Sequence, residues 1–204
     1  MRSDSIAFGI AGIAFGLLAG WIIGTQQPTG TTPAPAAAEA APSNGGAPAP
    51  GSTAAPLDQT KVDQLQAAAS RAPKDAAPRI QLGNLFFDAE RYEDAIKWYG
   101  EAVAIDPRDV NVSTDLGVCF YYTNQPDRAL EQFDRSLKID PKHTKTLLNQ
   151  GIVRAFGKQD LEGAQAAWEQ VLAIAPEGPE GQAAKRALDS LRSAHAATPG
   201  KPGD

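Results

Sequence analysis

Polar and apolar side chains run along Glu90 to Pro107, ERYEDAIKWYGEAVAIDP, with the period of an amphipathic helix. The same arrangement returns further along in Asn124 to Pro141, NQPDRALEQFDRSLKIDP. In register, Leu82-Gly83, Phe86, Tyr92, Ala95, Tyr99, Ala102 and Pro107 precede Leu116-Gly117, Phe120, Pro126, Ala129, Phe133, Ser136 and Pro141 by one constant interval. Each unit therefore predicts two helices. The first holds Leu-Gly and an aromatic residue; the second holds alanine, an aromatic and a small residue, and ends at Asp-Pro. Glycine and alanine at the crossing let paired helices approach closely, and the aromatics fill the space beside that contact. Proline stops the second helix where the next turn must begin.

A third copy departs from the first two. Gly151 follows Gly117 by the same interval, but Ala164, Trp168, Val171 and Pro176 follow Ala129, Phe133, Ser136 and Pro141 by one position more. The expectation is one extra residue in the loop GKQDLEG, residues 157–163. Gln150 replaces leucine, and Arg154 stands where Phe86 and Phe120 stood, so this repeat is expected to pack more loosely or to face a different neighbour. Upstream, KVDQLQAAASRAPKD sets Leu65, Ala68 and Pro73 one interval before Tyr99, Ala102 and Pro107, as the second helix of an incomplete repeat. Downstream, GPEGQAAKRALDSLRSAH places Ala184, Ala187, Leu188 and Leu191 on one helix face behind Pro179 and Glu180, which suit a helix start. A helix with one apolar face and a polar back closes the open end of a stacked array.

The 34-residue period and the spacing of these small, large and proline positions resemble the tetratricopeptide repeat family. The resemblance implies an all-α solenoid. It comprises a half-repeat helix at 57–75, full repeats at 76–109, 110–143 and 144–178, a capping helix at 179–196 and a tail at 197–204. It also implies a binding function, because in such arrays the first helix of each pair lines a concave groove. Carried over position by position, the lining is Ile80, Asn84, Phe87 and Asp88, then Thr114, Asp115, Val118, Tyr121 and Tyr122, then Lys145, Leu148, Asn149, Ile152 and Phe156. Aromatics lose little rotamer entropy on contact, so binding energy is expected to concentrate at Phe87, Tyr121, Tyr122 and Phe156. Some family members clamp a terminal carboxylate with lysines, asparagines and arginine. Asn84 and Lys145 fit that pattern, but Ile80, Asp115 and Asn149 do not, and Asp115 would repel a carboxylate.

Ahead of the repeats, Ile6 to Ile23 form an 18-residue run without a polar side chain. As a helix it would extend about 27 Å, enough for a thin bilayer core. No small-x-small cleavage site follows Gly24, which favours an uncleaved signal anchor over residues 6–24; a cleaved signal peptide and a buried helix are the other readings. Arg2 precedes the run and no Lys or Arg follows until Lys61. By the positive-inside rule residues 1–5 are expected in the cytoplasm and the repeats on the periplasmic or extracellular side. Gly12, Gly16, Gly20 and Gly24 recur every fourth residue, a smooth face suited to pairing with a second membrane helix or a second copy of this one. Residues 25–56 read as a disordered Pro/Ala/Gly linker, since Pro28 to Pro56 hold seven prolines and no large apolar side chain.

The formal net charge of −5, with no basic stripe, argues against a nucleic-acid partner. One cysteine, Cys119, excludes an intrachain disulfide and paired-cysteine zinc sites, and it sits where side chains must pack. The two histidines, His143 and His195, lie far apart in the array. There is no phosphate loop, metal-ligating pair or nucleophile elbow, so the expectation is no enzyme, no metal and no cofactor. The reading is a membrane-anchored adaptor that binds an extended segment or helix of another protein in its groove, in assembly or recruitment at an envelope complex. Its rivals are a self-assembling scaffold and, by architecture, a repeat subunit of the cytochrome c maturation machinery.

Overall fold

The computed structural model describes residues 54–196, which form eight helices and, among the described residues, no strand. They are α1 (Gln59–Arg71), α2 (Ala77–Asp88), α3 (Tyr92–Ile105), α4 (Val110–Tyr122), α5 (Pro126–Ile139), α6 (Thr144–Ile152), α7 (Leu161–Ile174) and α8 (Pro179–Ala196). A five-residue π-helical turn, Val153–Gly157, continues α6. Starts are set locally. Asp58, Asp109 and Asp160 accept the backbone N–H groups of Lys61, Val112 and Gly163 at 2.9–3.1 Å, each cap worth about 1 kcal/mol. Pro126 opens α5, where its missing N–H costs nothing.

Successive helices pack as antiparallel neighbours, α2 with α3, α4 with α5 and α6 with α7, and the pairs stack through α3–α4 and α5–α6. The glycines fix how closely each pair meets. A Cβ on Gly83 would lie 2.4 Å from Tyr99 Cδ1, on Gly117 2.4 Å from Phe133 Cε1, and on Gly151 2.2 Å from Trp168 Nε1. All three repeats thus use one device, an aromatic ring from the second helix laid on a bare stretch of the first. Their rings are buried together with Leu82, Ala95, Ala129, Ala164 and Val171.

The turn after the first helix of each pair holds a left-handed residue, Glu90 (φ 56°), Asn124 (φ 59°) and Gln159 (φ 56°), two residues before the next helix begins. Because that spacing is constant, the extra residue of the third repeat does not lie in the loop. It is wound into α6. Arg91 N–H donates to Phe86 O and Gln125 N–H to Phe120 O, but the corresponding bond runs from Asp160 N–H to Arg154 O, one residue longer. Likewise Ala89 and Thr123 N–H reach back four residues, to Leu85 and Cys119, whereas Lys158 N–H reaches back five, to Val153. A single inserted residue is what a π turn accommodates.

The ends are closed differently. Arg79 donates to the carbonyls of Ala69 and Ala72 at the C-terminal end of α1 and of Asp75 in the turn that follows, and pairs with Glu101 at 3.2 Å, tying the half-repeat to α2 and α3. At the other end α8 packs Ala183, Ala184, Ala187 and Leu188 against α6 and α7. None of the described helices is long and apolar enough to cross a membrane. The expected anchor at 6–24 with its glycine face, the linker as far as Thr53, and the tail at 197–204 lie outside the described residues.

Candidate protein-binding site

Short turns bring the C-terminal ends of α2 and α4 beside the start of α3, and four rings collect there. Phe87 meets Tyr92 edge-on at 5.5 Å and Tyr122 edge-on at 6.1 Å; Tyr92 and Tyr122 stack at 4.4 Å; Tyr121 lies 6.1 Å from Tyr122. Each such pair contributes about 0.5–1.5 kcal/mol beyond simple burial. All four rings are half-buried, which leaves ring surface at the protein's exterior. Burial pushes the Tyr121 and Tyr122 hydroxyls up to about 12, and for Tyr122 the neighbouring Tyr121 and Glu90 add to the shift.

Of the expected groove residues, Asn84, Phe87, Asp88, Val118, Tyr121 and Tyr122 fall on this side of α2 and α4 and are exposed or half-buried. The Asn84 side-chain carbonyl accepts the Tyr99 hydroxyl at 2.7 Å, so its acceptor is already engaged. Leu148, Asn149 and Ile152 are buried, which corrects their expected place on an open wall: α6 carries neighbours on both sides, α4 and α8. Thr114 is buried too, its hydroxyl 2.6 Å from that of Thr146. Phe156, in the π turn, is 39% exposed. The sequence places Tyr92 in the repeat register but not in the groove, because it opens a second helix and the groove is assigned to first helices. Its signal was the three-residue turn Ala89–Arg91, too short to part the last residues of α2 from the first of α3.

The charged residues of this wall are mostly committed. Lys145 Nζ lies 2.7 Å from Asp115 Oδ1, both half-buried, so the groove's lysine is neutralised within the chain. Burial raises the Asp115 carboxyl, opposed by Lys145. At the junction of α4 and α6, His143 Nδ1 lies 2.6 Å from Thr146 Oγ1 and Nε2 3.1 Å from Asn111 Oδ1, and burial lowers its pKa. His143 thus closes a polar seam between two helices. Cys119 is fully buried and its thiol is pushed far up, first by burial and then by Asp115, consistent with an inert packing residue. Among the described residues no three side chains of His, Cys, Asp or Glu gather in a metal-binding group.

The third repeat replaces a cation–ring contact by an ion pair. Arg91 lies over Phe86 at 5.0 Å and Arg128 over Phe120 at 4.0 Å, whereas Arg154, standing at the phenylalanine position, pairs with Asp160 at 2.7 Å. The Asp160 carboxyl is held low, first by the Gly163 N–H and then by Arg154. Gln150, in the leucine position, donates to Asp134 of α5. This repeat therefore meets the equivalent neighbour, the second helix of the preceding repeat, through a polar contact at the position where the first two repeats place leucine.

A stacked array of helix pairs with an aromatic wall defines an interaction module of the helical-repeat class. Residues 83–121 match the family described as TPR repeat. The described helices resemble the first repeat domain of Spaghetti (RPAP3), solved bound to the HSP90 peptide SRMEEVD, at 25% identity and a TM-score of 0.54. That match covers 59% of this chain and 95% of that one. Two further likenesses show the fold alone. The Arabidopsis OM64 repeat domain has 18% identity and a TM-score of 0.52, covering 57% of this chain and 95% of that one. MamA has 17% identity and a TM-score of 0.53, covering 66% and 89%. No curated protein matches the sequence. The repeat match and the RPAP3 likeness support a tetratricopeptide repeat protein whose role is protein interaction, and no enzymatic family is indicated.

Proposed function

We propose that this chain is an adaptor held at a membrane by residues 6–24, and that it receives an extended segment or helix of a partner protein against the wall of α2 and α4. Its work would be recruitment in the assembly of an envelope complex, with the repeats on the periplasmic or extracellular side. The observation that carries the binding part is the four-ring group of Phe87, Tyr92, Tyr121 and Tyr122 beside Asn84 and Val118. Aromatic surface of this kind anchors partners because it offers large contact area for few frozen rotors. The RPAP3 domain, bound to a peptide, gives the reading a structural parallel.

The test is site-specific photocrosslinking of the full chain in its native membrane. A photoreactive side chain at Val118, on the wall, should yield a discrete partner adduct, and one at the exposed Glu131 of α5 should not. Adducts from Glu131 alone would place the interaction on the opposite layer and end this proposal.

A further inference from the structure

The ring group sits where the chain enters the array. Helix α1 packs on α2, and Lys61, in the first turn of α1, acts on Asp88, the last residue of α2. The N-terminal end of α1 therefore lies beside the C-terminal end of α2. The residues ahead of α1 are bound to the same place: Ala55 N–H donates to the Asp88 carbonyl at 2.8 Å, satisfying a group that the helix leaves open, and Leu57 packs against the core. Phe87 precedes Asp88, and its ring meets Tyr92 at 5.5 Å. The segment ahead of Ala54 thus starts beside the rings.

That segment, residues 49–53, reads APGST, and no charged side chain stands between Glu39 and Asp58. Small neutral side chains let a backbone come close to a ring. Proline pre-sets an extended form, so little entropy is lost when such a chain docks on an aromatic-lined surface. At about 3.1 Å per residue, five residues extend about 15 Å, more than the 5.5 Å between the Phe87 and Tyr92 rings. A segment joined this closely competes at an effective concentration on the order of millimolar, so an affinity too weak for a free peptide suffices.

We propose that residues 49–53, with Pro50 over Phe87 and Tyr92, are the first occupant of this wall, so that the chain covers its own site until a partner displaces the segment. The proposal rests on the interaction reading above and adds its regulation. It uses the rings as they stand: Tyr92 stays stacked on Tyr122, and Phe87 and Tyr92 are each half-buried.

The experiment uses the purified full chain in an uncharged detergent, with p-benzoylphenylalanine in place of Phe87 and, separately, in place of Gln59. Gln59 is exposed and nearer in sequence to Thr53, so tethering alone would favour it. After irradiation, peptide mapping should find residues 49–53 joined to the reagent in α2 and little joined to that in α1. A second chain carrying Ala49→Gly, Pro50→Ser and Thr53→Gly should lose most of the α2 adduct. A mixture of isotopically heavy and light chains separates the occupants, since adducts of one isotope alone mean the chain's own segment. Nitration of Tyr92 by tetranitromethane leaves the wall unaltered, so it keeps the test valid if the Phe87 replacement fails to fold; it should rise severalfold in the triple variant. No adduct from α2, an equal or larger one from α1, an adduct or nitration rate unchanged in the triple variant, or mixed-isotope adducts, which mean a second copy, would overturn the proposal. The adaptor reading is tested apart from it, by partner adducts from Val118 in the native membrane.

Discussion

Gly117 and Gly100 are both helical glycines, yet their surroundings make opposite demands. A methyl group on Gly117 would intrude to 2.4 Å from the Phe133 ring, which is itself fully buried and cannot swing away. Gly117→Ala should therefore cost about 1–3 kcal/mol through overpacking. Around Gly100 nothing lies within 4 Å, and alanine is the better helix former, so Gly100→Ala should add about 0.5–1 kcal/mol. Urea unfolding of the two variants reads both signs; a neutral Gly117→Ala would mean that the close approach of α4 and α5 is not set by glycine. These glycine–ring pairs were legible in the sequence because they recur at one separation, as Gly83 with Tyr99 and Gly117 with Phe133. The Lys145–Asp115 pair and the part played by Tyr92 were not. Each depends on which helices lie side by side at a given height, and the repeat pattern assigns residues to helices without fixing that.

The third repeat shows the same limit at the level of a whole helix. Its longer spacing announced one extra residue, but a count cannot distinguish a longer loop from a wider helical turn, since both lengthen the chain equally. The hydrogen bonds decide: the turn at Gln159 is built like those at Glu90 and Asn124, and the surplus is wound into Val153–Gly157. Removing one residue there should let α6 finish as α4 does. Deletion of the exposed Phe156 is expected to be tolerated, with a melting temperature within a few degrees of the parent. Deletion of Tyr122, where no surplus exists, should shift the ring group and the turn together and lower stability by about 2 kcal/mol or more. Thermal unfolding of the pair checks the assignment. If the Phe156 deletion were the more damaging, the surplus would belong elsewhere.

Over the whole described array, apolar surface is buried by stacking and then sealed at both ends. Outward positions of α1 are Gln59, Lys61, Asp63 and Gln66, and those of α8 are Gln182, Lys185, Arg186 and Asp189. Each repeat leans on its neighbours, so the loss of an end unit exposes the next. Truncation after Gly178 should remove the burial of Leu188 and three alanines and uncover part of α6 and α7. The expected cost is about 3 kcal/mol, with increased binding of a hydrophobic dye. An unchanged melting curve would show α8 to be an ornament of the array rather than its seal. The three-repeat plan, with partial units at either end, was the most readable part of the sequence because it depends on composition at repeated positions. Which face stays open once α8 is in place was not. Polar flanks at both ends of the described array also leave a further repeat no apolar face to stack on there: a complex that needs greater reach has to recruit another chain alongside rather than extend this array end to end.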